Sequence, residues 1–267
     1  MTTPLNVAVI GLGAVVAPLV RRYLDGEFPA NVRFVGALAR RLRADAGLPV
    51  VTTADELLAL EPDYIVEGAG HAAVRAHVET LLLAGKEVAV TSIGALIDDE
   101  LRARLIRAAE TGGGRLILPS AGIGALDMLA GMAEGGVTRA TVTVRKPPEA
   151  WRDTPGEKLV DLDRLTAPAV LFDGSVRDGA PLYPGNVNIS AAAAFAGAGL
   201  DRTRLVIVAD PTVTNHVIEL EAHGAAGRLA FTEDMLPSPD NPKTGVIVAM
   251  ALAKTIRQRA SSFVVGA

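Results

Sequence analysis

The ten residues Val7-Ala8-Val9-Ile10-Gly11-Leu12-Gly13-Ala14-Val15-Val16 constrain the fold of this chain more than any other stretch. An apolar run stops at two glycines one residue apart, and a helical pattern follows. That is how a buried parallel strand turns into a helix whose first backbone N–H groups face an anion. A residue without Cβ lets a phosphate approach those N–H groups closely. The spacing matches the first two glycines of G-x-G-x-x-G, and Val16 stands at the third position. Gly11, Gly13 and Ala14 are therefore expected to form a phosphate-binding turn. Pro18 requires either a helix that begins later than usual after such a turn or a distorted first turn, because its ring is tolerated only there.

The pattern after this turn repeats. Apolar runs at 33–38, 50–52, 64–67, 87–91 and 115–118 alternate with helical stretches at 54–60, 71–84 and 98–111. Strands alternating with helices at this spacing predict a parallel, doubly wound sheet of the Rossmann type. Ligands of such sheets bind beyond the carboxyl ends of the strands, where Gly68-Ala69-Gly70 and Ser92 lie. After Pro119 the grammar changes. A helix is expected over 125–133, an alternating strand over 137–145, a mobile polar loop over 149–166 and a helix over 189–198. Strands at 205–209, 216–222 and 228–232 follow, with a last helix over 244–261. The fold class is α/β: a dinucleotide-binding domain over 1–118, then an α+β domain of mixed or antiparallel sheet over 119–240. A C-terminal helix within 241–267 is expected to pack back on the first domain.

Composition narrows the function. Apolar residues make up 49% of the chain and aromatics only 4%, which suits α/β layers better than a sandwich. The formal net charge of −4, with no offsetting Lys/Arg cluster, gives no electrostatic case for nucleic acid. No cysteine is present, which excludes thiolate chemistry and Cys-ligated metal, and the four scattered histidines form no metal motif. No apolar run is long enough to span a membrane, and the polar start is unlike a signal peptide. A cytoplasmic protein with a small-molecule substrate is expected.

A dinucleotide fold that prefers NAD usually carries Asp or Glu about 20 residues after the glycines, to accept from the ribose 2′-OH. Here the corresponding stretch is Ala39-Arg40-Arg41-Leu42-Arg43. Arg40 and Arg41 would suit a 2′-phosphate through their forked N–H donors, which favours NADP alone or beside NAD. The other reading is a solvated basic turn.

From Leu118-Pro119-Ser120-Ala121-Gly122-Ile123-Gly124-Ala125-Leu126-Asp127 onward the sequence resembles the L-aspartate dehydrogenase family. Arg145-Lys146-Pro147-Pro148, Tyr183-Pro184-Gly185-Asn186-Val187-Asn188, Gly199-Leu200-Asp201-Arg202-Thr203, Ala209-Asp210-Pro211 and Asn241-Pro242-Lys243-Thr244 continue it in the family's order. The resemblance implies a Rossmann domain plus an α/β domain in a homodimer. It also implies NAD(P)-dependent oxidative deamination of L-aspartate to iminoaspartate, then oxaloacetate and ammonia, with iminoaspartate available for pyridine nucleotide biosynthesis. It assigns the catalytic histidine to His216 and cofactor contacts to Asn188 and to Gly122, where the family has alanine. Val16 and Gly245 are further departures, the latter at a position where the family usually has serine.

A histidine titrating near neutrality suits both proton transfers of such a reaction. Without the resemblance, the residues alone favour His216 as a strand histidine satisfied by a backbone carbonyl over a catalytic one. His71 reads as a helix-initiating or ribose-side residue, His77 as surface and His223 as part of a turn. A dicarboxylate substrate needs cations, for which Arg145, Lys146 and Lys243 are candidates; each is also an ordinary strand-end or helix-start charge. Asp210-Pro211 reads as a turn former. Two other functions stand beside the first: an imine, amine or other amino-acid oxidoreductase on the same scaffold, and a dinucleotide-binding sensor without turnover.

Overall fold

The computed structural model describes residues 4–184, 187–239 and 241–266, apart from the side chains of 242 and 243. Contacts group the chain into two compact units: residues up to Ala121 together with those from Val248 onward, and Gly122–Ile247.

In the first unit, strands β1 (Leu5–Ile10), β2 (Val32–Leu38), β3 (Val50–Val51), β4 (Tyr64–Glu67), β5 (Glu87–Val90) and β6 (Arg115–Ile117) form one sheet, ordered β3-β2-β1-β4-β5-β6. Every pairing is parallel. Such a sheet is covered on both faces, which is why its strands read as unbroken apolar runs; Val7 to Ile10 and Ile65 to Val66 are fully buried. The helix after β1 begins late, at Ala17, so Pro18 sits in its first turn, where it displaces no hydrogen bond. Before it, the N–H groups of Val16 and Ala17 close a turn on the Gly13 carbonyl at 3.0 and 2.8 Å. Helix Asp99–Gly112 starts where Asp98 accepts from the N–H groups of Glu100 and Leu101. Residues 71–83 wind continuously, but 74–78 form a π turn between two α segments. No helix among the described residues is long and apolar enough to cross a membrane.

In the second unit, β7 (Val137–Lys146), β8 (Ala169–Ser175), β9 (Thr203–Ala209), β10 (His216–Gly224) and β11 (Gly227–Met235) make a mixed sheet, ordered β11-β10-β7-β9-β8. The β7–β9 pair is parallel and the others are antiparallel. Strand β8 and helix Val176–Leu182 escape a reading by pattern. Gly174 and a register shift between Val170 and Phe172 interrupt the strand, while Gly179 and Pro181 weaken the helix. Helix Val187–Ala196 is a run of small residues with no polar stripe, and Ala191 to Ala194 are buried.

Two expectations are corrected. The stretch 149–166 is no loose loop: two 3₁₀ turns, Pro148–Trp151 and Pro155–Lys158, fold it over a fully buried Trp151. The indole N–H donates to the carbonyls of Lys146 (3.3 Å) and Val208 (3.1 Å), tying the segment to the ends of β7 and β9. Trp151→Phe, which keeps most of the ring and deletes that donor, is expected to cost about 1–2 kcal/mol, read as a lowered midpoint of urea unfolding. The residues before the last helix form β13 (Asn241–Gly245), paired with β12 (Pro237–Ser238), and the helix itself runs over Ile247–Arg259.

Candidate functional site

The strand order of the first sheet reverses between β1 and β4, and in open α/β sheets the crevice at such a switch binds the ligand. A cleft of about 930 Å³ opens there, lined in part by Gly11, Gly13, Arg40, Arg41, Gly68 and Ala69. Gly11 has φ +91°, and a Cβ on it would stand 2.7 Å from the Ala69 Cβ, so the turns after β1 and β4 approach more closely than any larger residue allows. A Cβ on Gly13 would meet no atom within 4 Å, because that position faces open space. Ala14 continues the turn toward the helix. A glycine turn ahead of a helix, a crevice of this size and a basic rim fit a phosphate-linked dinucleotide.

The tips after β4 and β5 are joined by a residue that pattern reading missed. Glu67 is fully buried at the end of β4. Its Oε1 accepts from the N–H groups of Ala69 (2.7 Å) and Gly70 (2.9 Å) and from Ser92 Oγ (2.9 Å), and its Oε2 from the Ser92 N–H (3.1 Å). Gly68, Ala69, Gly70 and Ser92 thus form one assembly around a carboxylate. An acid closing an apolar strand just before Gly-Ala-Gly was the signal available in the sequence.

Arg40 and Arg41 are exposed along the cleft, and Arg43 beside them is bridged to Asp45 at 3.0 Å. His77, expected at the surface, lies in the π turn and lines the same cleft, where burial pushes its imidazole pKa down.

In the second unit, successive residues of a strand face opposite sides, and this separates the predicted cations. Strand β10 pairs with β7 with Val217 opposite Arg145. One residue beyond that pair, His216 and Lys146 reach the same end of the sheet on its buried face, 7% and 3% exposed. Arg145 stands on the other face, where its guanidinium meets Asp210 (3.0 Å) and Glu219 (3.3 Å). The expectation that Arg145 joins Lys146 around one substrate is corrected by this alternation. Asp210 is more than a turn former: it also accepts from the N–H (2.8 Å) and Oγ1 (2.6 Å) of Thr212 and so shapes the connection into β10. Lys146 Nζ lies 5.9 Å from the Trp151 ring centroid.

Gly122 lies in the turn before helix Leu126–Glu134, and Asn188 is the second residue of Val187–Ala196. The Lys243 side chain lies outside the described residues. His223 belongs to β10 rather than to a turn and meets Glu221 at 2.6 Å. A second acid absent from the sequence reading is Glu233 on β11, 7% exposed, whose Oε2 accepts the Gly124 N–H at 3.1 Å. Burial raises its carboxyl pKa. Among the described residues no cluster of His, Asp and Glu suits a metal ion.

Comparison with known proteins gives a consistent result. A family model described as homoserine dehydrogenase, NAD binding domain, matches residues 11–119, and one described as aspartate dehydrogenase, C-terminal, matches 127–259. The chain is 42% identical to an L-aspartate dehydrogenase of Ruegeria pomeroyi over 261 residues, covering 96% of this chain and 93% of the relative. It is 38% identical to one of Cupriavidus necator over 265 residues, covering 96% and 98%. Among solved structures, an aspartate dehydrogenase from Thermotoga maritima matches all of both chains with a TM-score of 0.78 at 21% identity. A hyperthermophilic archaeal homoserine dehydrogenase in complex with NADPH matches 99% of this chain and 100% of that one, with a TM-score of 0.62 at 11% identity. These two likenesses bear on the fold alone. Sheet, cleft and model matches together define an oxidoreductase that uses a nicotinamide dinucleotide. Within that class the chain belongs to the L-aspartate dehydrogenase family.

Proposed function

We propose that the chain catalyses the reversible, NAD(P)-dependent oxidative deamination of L-aspartate to iminoaspartate, which water converts to oxaloacetate and ammonia. The observation that carries this reading is the juxtaposition of His216 and Lys146 on one buried face, in a chain whose relatives over nearly its whole length are L-aspartate dehydrogenases. When bound, the dinucleotide supplies a hydride acceptor. The backbone of Gly11–Gly13 would face its pyrophosphate, and the tips at Gly68–Gly70 and Ser92, held by Glu67, would line its remaining length; Gly122 and Asn188 are the contacts that the family resemblance adds.

The remaining work is proton management and orientation. The α-amine must be neutral before hydride leaves the Cα, so a base has to take a proton from the ammonium. His216 is suited to accept it at a ring nitrogen and, later, to activate the water that adds to the imine. Lys146 offers a point cation in a dry setting, where pairing with a substrate carboxylate is stronger than in bulk water. Lys243 remains a candidate for the second carboxylate.

For the cofactor, the exposed rim of Arg40 and Arg41 supports acceptance of NADPH. Converting both to Gln is expected to raise KM for NADPH about tenfold to a hundredfold and to change KM for NADH by less than about threefold. Equal effects on the two cofactors would return the arginines to an ordinary surface role. A cytoplasmic homodimer is our reading of compartment and assembly, supported by the family resemblance. The function is tested by following NADH and NADPH oxidation with oxaloacetate plus ammonia, then with other keto acids and with ketones. Turnover of ketones or other keto acids without oxaloacetate would favour a related amine or amino-acid oxidoreductase. Cofactor binding without turnover would favour a sensor.

A further inference from the structure

Among the described residues of the second unit two acids are buried: Asp210, which is paired with Arg145, and Glu233, which the reaction leaves without a role. Strand β11 is the edge of its sheet, and Arg228, Ala230, Thr232 and Asp234 point outward and are exposed. Glu233 alternates with them and turns inward, to 7% exposure. A carboxylate there is costly unless it is hydrogen-bonded or paired. The hydrogen bond described for it is the one from Gly124 N–H, whereas a carboxylate can accept about four. Gly124 lies flat over the strand: a Cβ on it would stand 2.5 Å from the Phe231 ring, two residues before Glu233.

The register puts this acid beside the residues already assigned. His216 is opposite Met235, and Ile218 is opposite Glu233. Glu233 is therefore the diagonal neighbour of His216 on the same face; such neighbours are about 7–8 Å apart in an antiparallel pair, within reach of long side chains. Lys146 lies on the far side of His216, at the same end of the sheet. A base thus has a cation on one side and an acid on the other.

We propose that Glu233 is a specificity-determining residue that binds the α-ammonium of the amino-acid substrate, beside His216 and opposite Lys146 in charge. The proposal rests on the amino-acid dehydrogenase reading and deepens it. A site lined only by cations would hold any small dicarboxylate, with or without nitrogen. Selecting an amine takes an acceptor aimed at its N–H groups, and a buried polar group left unpaired by the wrong ligand is what rejects that ligand. Burial raises the Glu233 carboxyl pKa because the lone anion is poorly solvated. The same poor solvation strengthens its pairing with an arriving ammonium. Proton transfer from that ammonium to His216 then leaves the amine held at the point where hydride departs.

The test compares wild type with Glu233→Gln and Glu233→Asp. Gln keeps an oxygen for the Gly124 N–H and removes the charge; Asp keeps the charge and shortens the reach. Three quantities are read: KM for L-aspartate, the inhibition constant of succinate, which has both carboxylates and no nitrogen, and the dissociation constant of NADPH. Glu233→Gln is expected to raise KM for aspartate about tenfold to a hundredfold, with succinate and NADPH within about twofold of wild type. Glu233→Asp should weaken aspartate less. Parallel weakening of aspartate and succinate, or no change in either, overturns the proposal and leaves Glu233 as a support for the Gly124 turn. If wild type fails with aspartate but turns over another amino acid, the reaction reading falls, and the same comparison is made with that amino acid and its deamino analogue. No turnover of any amino acid overturns both.

Discussion

His216→Ala is expected to lower kcat by about 10²- to 10⁴-fold, the range over which a positioned acid–base group contributes. Affinity for NADPH should stay within about twofold of wild type, because the dinucleotide cleft is built from other residues in the first unit. The strand should tolerate the change: β10 is paired on both sides, with β7 and with β11, so truncating one side chain at its first residue removes no ladder hydrogen bond. Steady-state rates in both directions, with a fluorescence titration of NADPH, check this. An unchanged kcat with intact cofactor binding would remove His216 from the mechanism.

The second large effect concerns Glu67. Replacing it with Ala strands four donors: the N–H groups of Ala69, Gly70 and Ser92 and the Ser92 hydroxyl. Each unsatisfied buried group costs about 1–3 kcal/mol, and solvent from the adjacent cleft recovers part, so a loss of about 3–5 kcal/mol is expected. Glu67→Gln keeps one acceptor oxygen but turns an NH₂ group toward N–H donors, and should fall between Ala and wild type. Because the same carboxylate holds the tip after β4, where Gly68 and Ala69 line the cleft, cofactor affinity should drop together with stability. Chemical denaturation and NADPH titration of the two variants read both effects, and wild-type stability in Glu67→Ala would show that the carboxylate does not hold the tips.

Much of the first unit was legible because its physics is local. A strand buried on both faces must be apolar throughout, and a phosphate turn must be glycine-rich, so β1, β4 and their tips are visible as runs and breaks. The second unit was legible where strands alternate, as in β7 and β10. It was obscured where glycine and proline occur inside elements, as in β8 and Val176–Leu182, or where polar composition conceals one large anchor, as around Trp151. Buried acids are the hardest class. Glu67 and Glu233 escaped notice because their partners, mostly backbone N–H groups, are displayed by no sequence pattern. Arg145 shows the converse: a cation beside a candidate site residue is turned away from it by strand alternation alone.

The π turn at 74–78 has a consequence for how this chain can vary in length. A π turn holds one residue more than the α-helical path. Each residue of an α-helix advances the side chains by about 100°. Upstream and within the turn, Ala72, Ala73, Ala76 and His77 line the cleft; downstream, Leu81 and Leu82 are fully buried. Deleting one residue here would restore a regular helix and rotate one of these two sets away from its surroundings. The number of residues in this helix is therefore held by the cleft at one end and the core at the other, as tightly as the identity of Gly11 is held by the turn it makes.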